Sequence, residues 1–144
     1  MVEEYSYSEK KIAIVLSTSL TSGVATNVVG HMAISAGAYI EDEVMGRRWL
    51  TDASGVNHRG ISKFPVIITK VKQSRLRRLL EESRTVEQLF IVDYPEQMLS
   101  TGHDDELASA LAASPEADIS YLGVLLYGDS EIVNRLTGKF TLWS

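Results

Sequence analysis

The sequence contains no cysteine among its 144 residues. That absence excludes disulfides, thiolate nucleophiles and cysteine metal sites, and it fits a reducing compartment. No apolar run approaches the roughly 20 residues that a membrane-spanning helix requires. The opening residues MVEEYSYSEKK are polar and acidic, unlike a secretory signal. We therefore expect a cytoplasmic protein that has no membrane partner.

Positive charge is in deficit, with 14 lysines and arginines against 19 acidic residues and a formal net charge of −5. Proteins that bind nucleic acids usually gain affinity by neutralising phosphates with lysine and arginine. The global charge opposes a polyanion the size of an RNA, so it disfavours tRNA as a partner. The sequence also lacks a Walker loop, an HExxH motif and a Cys/His cluster, and we expect no cofactor and no metal.

The length and the apolar content are those of one compact domain, with 44% hydrophobic residues. A chain of this size buries roughly two thirds of the surface that it exposes when unfolded. We expect a flexible arm over residues 1–10 and a single domain over residues 11–144.

The order of predicted elements indicates the fold class. Apolar runs predict strands at 11–16, 66–69, 86–94 and 120–127, and apolar repeats predict helices at 24–40, 74–84, 104–113 and 130–136. MGRRWLT and VNHRG, joined by a turn at Asp52–Gly55, predict an inserted β-hairpin over residues 45–60. Strands that alternate with helices indicate an α/β fold, a three-layer α/β/α sandwich with a mixed, mainly parallel sheet.

The start of the chain carries Lys11, Leu20, Gly23 and Tyr39, and its end carries a Thr137–Gly138 pair within VNRLTGKFTLW. In these residues the chain resembles the type II peptidyl-tRNA hydrolases. The middle stretch DASGVNHRGISKFPVIIT resembles a bacterial offshoot of that fold, a domain of unknown function. The resemblance implies the same fold. Together with the glycine- and alanine-rich surface of the helix at 24–40, it predicts a homodimer.

The catalytic residues of that family are largely missing. In an ungapped register the family's histidine falls on Ala33, and its basic residues fall on Val24 and Thr26. His31 lies two residues earlier, roughly 200° around the helix. Asp93 matches an acidic active-site residue of the family. We therefore expect no peptidyl-tRNA hydrolysis.

Asn27, His31 and Ser35 form a polar line at four-residue steps on the otherwise apolar helix at 24–40. One interpretation is the wall of a cleft, with His31 able to act as an acid or a base near neutral pH. The other is the solvated stripe of a half-buried helix. As a binding module, the protein would hold a small anionic ligand or a partner in a cleft between this helix and the end of the Asp93 strand. The alternative is a divergent hydrolase that uses Asp93 with His31 or His58.

Arg47, Arg48, His58 and Arg59 flank the predicted hairpin and could converge on a small anionic ligand, through a carboxylate or a phosphate. A charged hairpin that is protected from edge pairing explains the same residues equally well. The run His103–Glu106 fits the first turn of a helix better than a metal site, because adjacent residues do not share one helix face.

Overall fold

The structure is a computed structural model that describes residues 7–144. Residues 1–6 of the expected arm lie outside this range, and Lys10 already belongs to the first strand. The strands are β1 (Lys10–Ser17), β2 (Trp49–Thr51), β3 (Asn57–Arg59), β4 (Val66–Val71), β5 (Phe90–Pro95), β6 (Tyr121–Asp129) and β7 (Thr141–Leu142). The helices are α1 (Ser22–Ile40), α2 (Gln73–Ser83), α3 (Gln97–Ser100), α4 (Asp104–Ala112) and α5 (Ser130–Thr137), with 3₁₀ turns at Glu41–Val44 and Glu116–Asp118.

The main sheet has five strands in the order β5-β6-β1-β4-β7. Only β1 and β4 run parallel, whereas the other three neighbouring pairs are antiparallel. The α/β class is therefore correct, but the prediction of a mainly parallel sheet is wrong. The near-continuous apolar runs of β1 and β6 suggested parallel strands. They are apolar because both strands are central and buried on their two faces, and central antiparallel strands meet that condition equally well.

Helices pack against both faces of this sheet. Alternate residues of β1 separate the two sides, because successive side chains of a strand point to opposite faces. One face packs against α1, through Ile12, Ile14, Leu16, Ala25, Val28 and Met32. The other face packs against α2 and α5, through Ala13, Val15, Val124, Leu126, Leu76, Leu79, Leu80 and Val133.

Helix α1 begins with a side-chain cap. The Thr21 Oγ1 atom accepts a hydrogen bond from the Val24 backbone N–H at 3.4 Å. At the other end Glu41 has a φ of 60°, a backbone conformation that favours glycine. The chain turns there into the 3₁₀ segment that leads to the hairpin.

The hairpin of β2 and β3 forms a separate two-stranded sheet, as predicted for residues 45–60. The Asp52 carboxylate organises its turn, accepting hydrogen bonds from the backbone N–H groups of Ser54 at 2.9 Å and Val56 at 3.0 Å. Gly55 completes the turn with a φ of 85°, which a residue without a Cβ adopts at no steric cost.

The segment after α2 differs from the prediction at its start. Residues 86–89 form a turn, and β5 begins only at Phe90. The apolar Val86 and Leu89 that suggested strand instead pack with Val133 of α5. Within residues 7–144, no helix is long and apolar enough to cross a bilayer.

Candidate functional site

A cleft of about 460 Å³ opens between α1, β5 and the segment that runs from α3 into α4. The apolar side chains around it are Met32, Val92, Met98 and Leu107. The polar residues around it are His31, Ser35, Asp93, Tyr94, Thr101, His103 and Asp104. A concave, mostly apolar site with a few polar groups is the usual form of a small-molecule site.

Helix α1 supplies His31 and Ser35 to the cleft because of its 3.6-residue period. Val28, Met32 and Ala36 form the face of the helix that is buried against the sheet. His31 and Ser35, one turn apart, then lie along the border of the buried face and reach the cleft. Asn27, the third member of the predicted polar line, is exposed and does not line the cleft.

Tyr94 is a cleft residue that sequence reasoning missed. It lies on the same face of β5 as Phe90 and Val92, packed against α1, and its side chain is 3% exposed. Its ring centroid lies 6.2 Å from that of His31, with the rings tilted by 50°. Burial raises the pKa of Tyr94 above its ordinary value, at which the hydroxyl is already protonated at neutral pH. The two-residue period of FIVDY places Phe90, Val92 and Tyr94 on one face of the strand, but it does not say which face meets α1.

The side chain of Asp93 points to the opposite face of β5 from that of Tyr94. Being next to Tyr94 on β5, it directs its carboxylate to the α2 face of the sheet. Its Oδ2 atom lies 3.7 Å from an Arg84 guanidinium nitrogen, just past the end of α2. Burial raises the pKa of Asp93, and the Arg84 charge partly opposes that rise. Within residues 7–144, no hydrogen bond or ion pair links Asp93 to a histidine.

His58, the other histidine proposed as a partner of Asp93, lies in the hairpin. Its Nε2 atom is 2.8 Å from the Asp52 carboxylate, and His58 is not part of the cleft. The hydrogen bond from His58 is the main cause that lowers the pKa of Asp52. The structure therefore brings His31, Ser35 and Asp93 to the border of one cleft, pairs the Asp93 carboxylate with Arg84, and leaves His58 in the hairpin.

Arg84 and Asp93 belong to a charged network on the α2 face. Tyr121 donates a hydrogen bond to a Glu116 carboxylate oxygen at 2.7 Å, and Arg84 donates to the same oxygen at 3.1 Å. Arg77 donates to Glu116 at 3.2 Å and also binds two backbone carbonyls of the Glu116–Ile119 segment. The hydrogen bonds from Tyr121 and Arg84 lower the pKa of Glu116 to about 2. This network fastens the 116–119 segment to α2.

The run His103–Glu106 forms the start of α4, as predicted. His103 caps the helix, with Nδ1 accepting a hydrogen bond from the Glu106 backbone N–H at 3.2 Å. His103 and Asp104 nonetheless line the cleft, so the capping residues also form one of its walls. Among residues 7–144, no three His, Asp or Glu side chains meet in a group that could hold a metal ion.

The hairpin arginines do not form one group. Arg59 and Trp49 are paired across the strands, and the guanidinium lies 4.9 Å from the indole ring centroid. His58 lies on the opposite face of the hairpin because it is adjacent to Arg59. Arg48 and Arg59 border one surface depression, whereas Arg47 borders another.

Comparison with known proteins adds a family and a fold. The family described as a protein of unknown function, DUF2000, matches residues 10–144. A solved structure of a protein of unknown function from Agrobacterium tumefaciens strain C58 superposes with a TM-score of 0.83 and 24% identity. The alignment covers 94% of this chain and 98% of that one, so the two share a fold. Among curated proteins, no match to this chain is found.

Proposed function

Because the chain belongs to the DUF2000 family, whose description carries no activity, we propose a function from the cleft itself: the protein is a binding module that holds a small ligand beside His31. The proposal is supported by the cleft of about 460 Å³, in which apolar side chains surround the imidazoles of His31 and His103 and the hydroxyls of Ser35 and Tyr94. Such a site suits a ligand with an apolar body and a few hydrogen-bonding groups.

The charge of the cleft bears on the ligand. Within residues 7–144, no lysine or arginine borders it, and Asp104 contributes a carboxylate. The anionic ligand expected for this cleft would therefore meet no lysine or arginine there, and His58 and Arg59, which could also hold an anion, lie on opposite faces of the hairpin. We therefore favour an uncharged or cationic ligand for the cleft.

The hydrolase alternative has less support. Acid–base catalysis needs a base within hydrogen-bond reach of its proton or linked to it by one water. The Asp93 carboxylate is paired with Arg84, and within residues 7–144 it forms no hydrogen bond with His31. We also propose that the chain has a three-layer α/β/α fold like that of the type II peptidyl-tRNA hydrolases. We also expect no peptidyl-tRNA turnover, because Ala33 stands where that family has its histidine.

A thermal-shift screen of small metabolites tests the binding proposal. A ligand at about a hundred times its Kd stabilises the folded protein by about 2.7 kcal/mol. We expect hits whose stabilisation disappears in Ser35→Phe, which fills the cleft, and whose affinity falls by about several-fold in His31→Ala, which removes one hydrogen-bonding group.

Asn27→Ala is the matched control, because Asn27 lies one turn from His31 on the same helix but outside the cleft. The screen should give the same shifts for this variant as for the natural sequence. Hits that keep their full shift in Ser35→Phe would show that the ligand binds elsewhere and would contradict the proposal.

We further propose that the protein is a homodimer that pairs through α1. This 19-residue helix contains no charged residue, and its Ile34 side chain is 74% exposed. A Cβ added to Gly30 or Gly37 would meet nothing within 4 Å, so packing inside the chain does not require these glycines. Each costs about 1 kcal/mol relative to alanine in a helix, a cost that close approach of a second helix would offset.

Light scattering tests the dimer. We expect a mass of twice 15.9 kDa for the natural sequence and a single 15.9 kDa mass for Ile34→Glu, which places a charge on the uncharged face. Val56→Glu is the control, because Val56 is exposed on the hairpin and its replacement should leave the dimer intact. A monomer for the natural sequence at high concentration would rule out this assembly.

A further inference from the structure

We propose that the free edge of β5 binds an extended basic peptide by strand addition, with peptide side chains entering the cleft beside His31. The inference rests on the binding function proposed for that cleft, and it names a ligand class. The ligand is a peptide backbone flanked by cationic side chains.

Strand β5 is a terminal strand of the five-stranded sheet. It pairs with β6 on one side, from Phe90 to Pro95. Apart from that ladder, no backbone–backbone hydrogen bond of Phe90–Tyr94 occurs within the described residues 7–144. In an antiparallel edge strand, every second residue turns its N–H and C=O groups outward, where an added strand can bind them.

Two depressions along β5 provide space for alternate side chains of an added strand. The cleft lies along β5 at Val92 and Tyr94, and a second depression of about 420 Å³ lies on the same face at Phe90 and Tyr39. Residues two apart on a strand are about 6.6 to 6.8 Å from each other. Alternate side chains of a strand laid along β5 would therefore reach the two depressions in turn.

The negative charge of the chain around β5 favours a basic partner. No lysine or arginine lies between Arg84 and Arg135. The acidic residues in that interval are Glu87, Asp93, Glu96, Asp104, Asp105, Glu106, Glu116, Asp118, Asp129 and Glu131. A second copy of β5 would bring this acidic stretch against itself, whereas a basic peptide complements it.

Glu87 and Glu96 flank β5 in the chain, and Asp104 lines the cleft. None of these three carboxylates forms an ion pair within residues 7–144. Asp93 and Glu116 are instead neutralised in part by Arg84. The unpaired carboxylates attract the lysine side chains, and hydrogen bonds to the β5 backbone align the peptide along the strand.

Fluorescence anisotropy with three labelled hexapeptides tests the inference. The probe is acetyl-(Lys-Val)₃-amide, and the two comparison peptides are (Glu-Val)₃ and (Lys-Val)₃ that is N-methylated at alternate residues. We expect the probe to bind at low salt and both comparison peptides to bind at least about ten-fold more weakly. N-methylation removes about three backbone donors while it keeps the charge, and each net hydrogen bond contributes about several-fold in affinity.

Equal binding of the N-methylated peptide would show general attraction to an acidic surface and would overturn the inference. Amide hydrogen exchange gives an independent readout, because strand addition protects alternate amides of Phe90–Tyr94. No new protection there, at a peptide concentration that saturates anisotropy, would also overturn it.

Variants locate the site. Asp104→Asn should weaken the probe by about two- to five-fold, consistent with the modest value of an exposed ion pair. Asp105→Asn removes the same charge one residue further on, outside the cleft, and should leave affinity nearly unchanged. Equal losses in the two variants would contradict the site. Small-molecule hits in the cleft without peptide binding refute strand addition alone, whereas no hits and no peptide binding refute both proposals.

Discussion

Gly123→Ala is expected to lower the free energy of unfolding by about 1–3 kcal/mol, the range for overpacking a well-packed core. A Cβ at Gly123 would lie 2.9 Å from Met32 Cε, 3.0 Å from Val28 Cγ1 and 3.1 Å from Leu16 Cδ2. Those side chains belong to α1 and β1, and all three are fully buried. Helix α1 would have to move away from β6, which would also shift His31 relative to Tyr94.

Chemical denaturation measures this loss, and Gly23→Ala is its matched control. The control makes the same chemical change in the first turn of α1, where a Cβ meets nothing within 4 Å. It should leave stability unchanged or raise it by up to about 1 kcal/mol, because alanine favours the helix. Equal effects of the two substitutions would show that α1 does not pack closely over Gly123.

Glu116→Gln is expected to remove a pH-dependent part of the stability. The folded-state pKa of Glu116 is lowered to about 2 from an ordinary value of 4.5. Deprotonated Glu116 therefore stabilises the folded state fully above pH 4.5, and this contribution is lost as the pH falls from 4.5 towards 2. The variant should be less stable than the natural sequence at pH 7 and equal to it near pH 2.

Urea unfolding at a series of pH values checks this prediction. Glu81→Gln is the control, because Glu81 meets the same Arg77 only through an exposed helical pair at 3.7 Å. Such pairs contribute little, so the control should follow the natural profile. A stability difference for Glu116→Gln that stays constant from pH 7 to pH 2 would show that the hydrogen bonds of Tyr121 and Arg84 do not favour the charged carboxylate.

The candidate site could be predicted in part. The four-residue spacing of His31 and Ser35 placed both on one line of α1, and that line does border a cleft. The spacing could not say how far the cleft extends, so Asn27 was included although it lies outside. Tyr94 was missed because nothing in the sequence alone says which face of β5 meets α1.

Asp93 shows why matching residue types is not enough to define a site. Its position near the end of a strand suggested a partner for His31, and the strand itself was correctly located near Asp93. Tyr94, its neighbour, packs on α1, so the pleat of the strand sends the Asp93 carboxylate to Arg84. The side chains of His58 and Arg59 lie on opposite faces of the hairpin for the same reason, because the two residues are adjacent on one strand.

The sequence by itself determined the local elements of this protein, because hydrophobic periodicity, caps and turn residues act over a few neighbours in the chain. It set the α1 register, the Thr21 cap, the turn at Asp52–Gly55 and the start of α4 at His103. The tertiary structure alone decided strand order and direction, and with them which face of β5 meets α1. Burial on two faces makes a central strand apolar whether its neighbours run parallel or antiparallel, so only the packed sheet pairs Asp93 with Arg84 and leaves β5 at the edge.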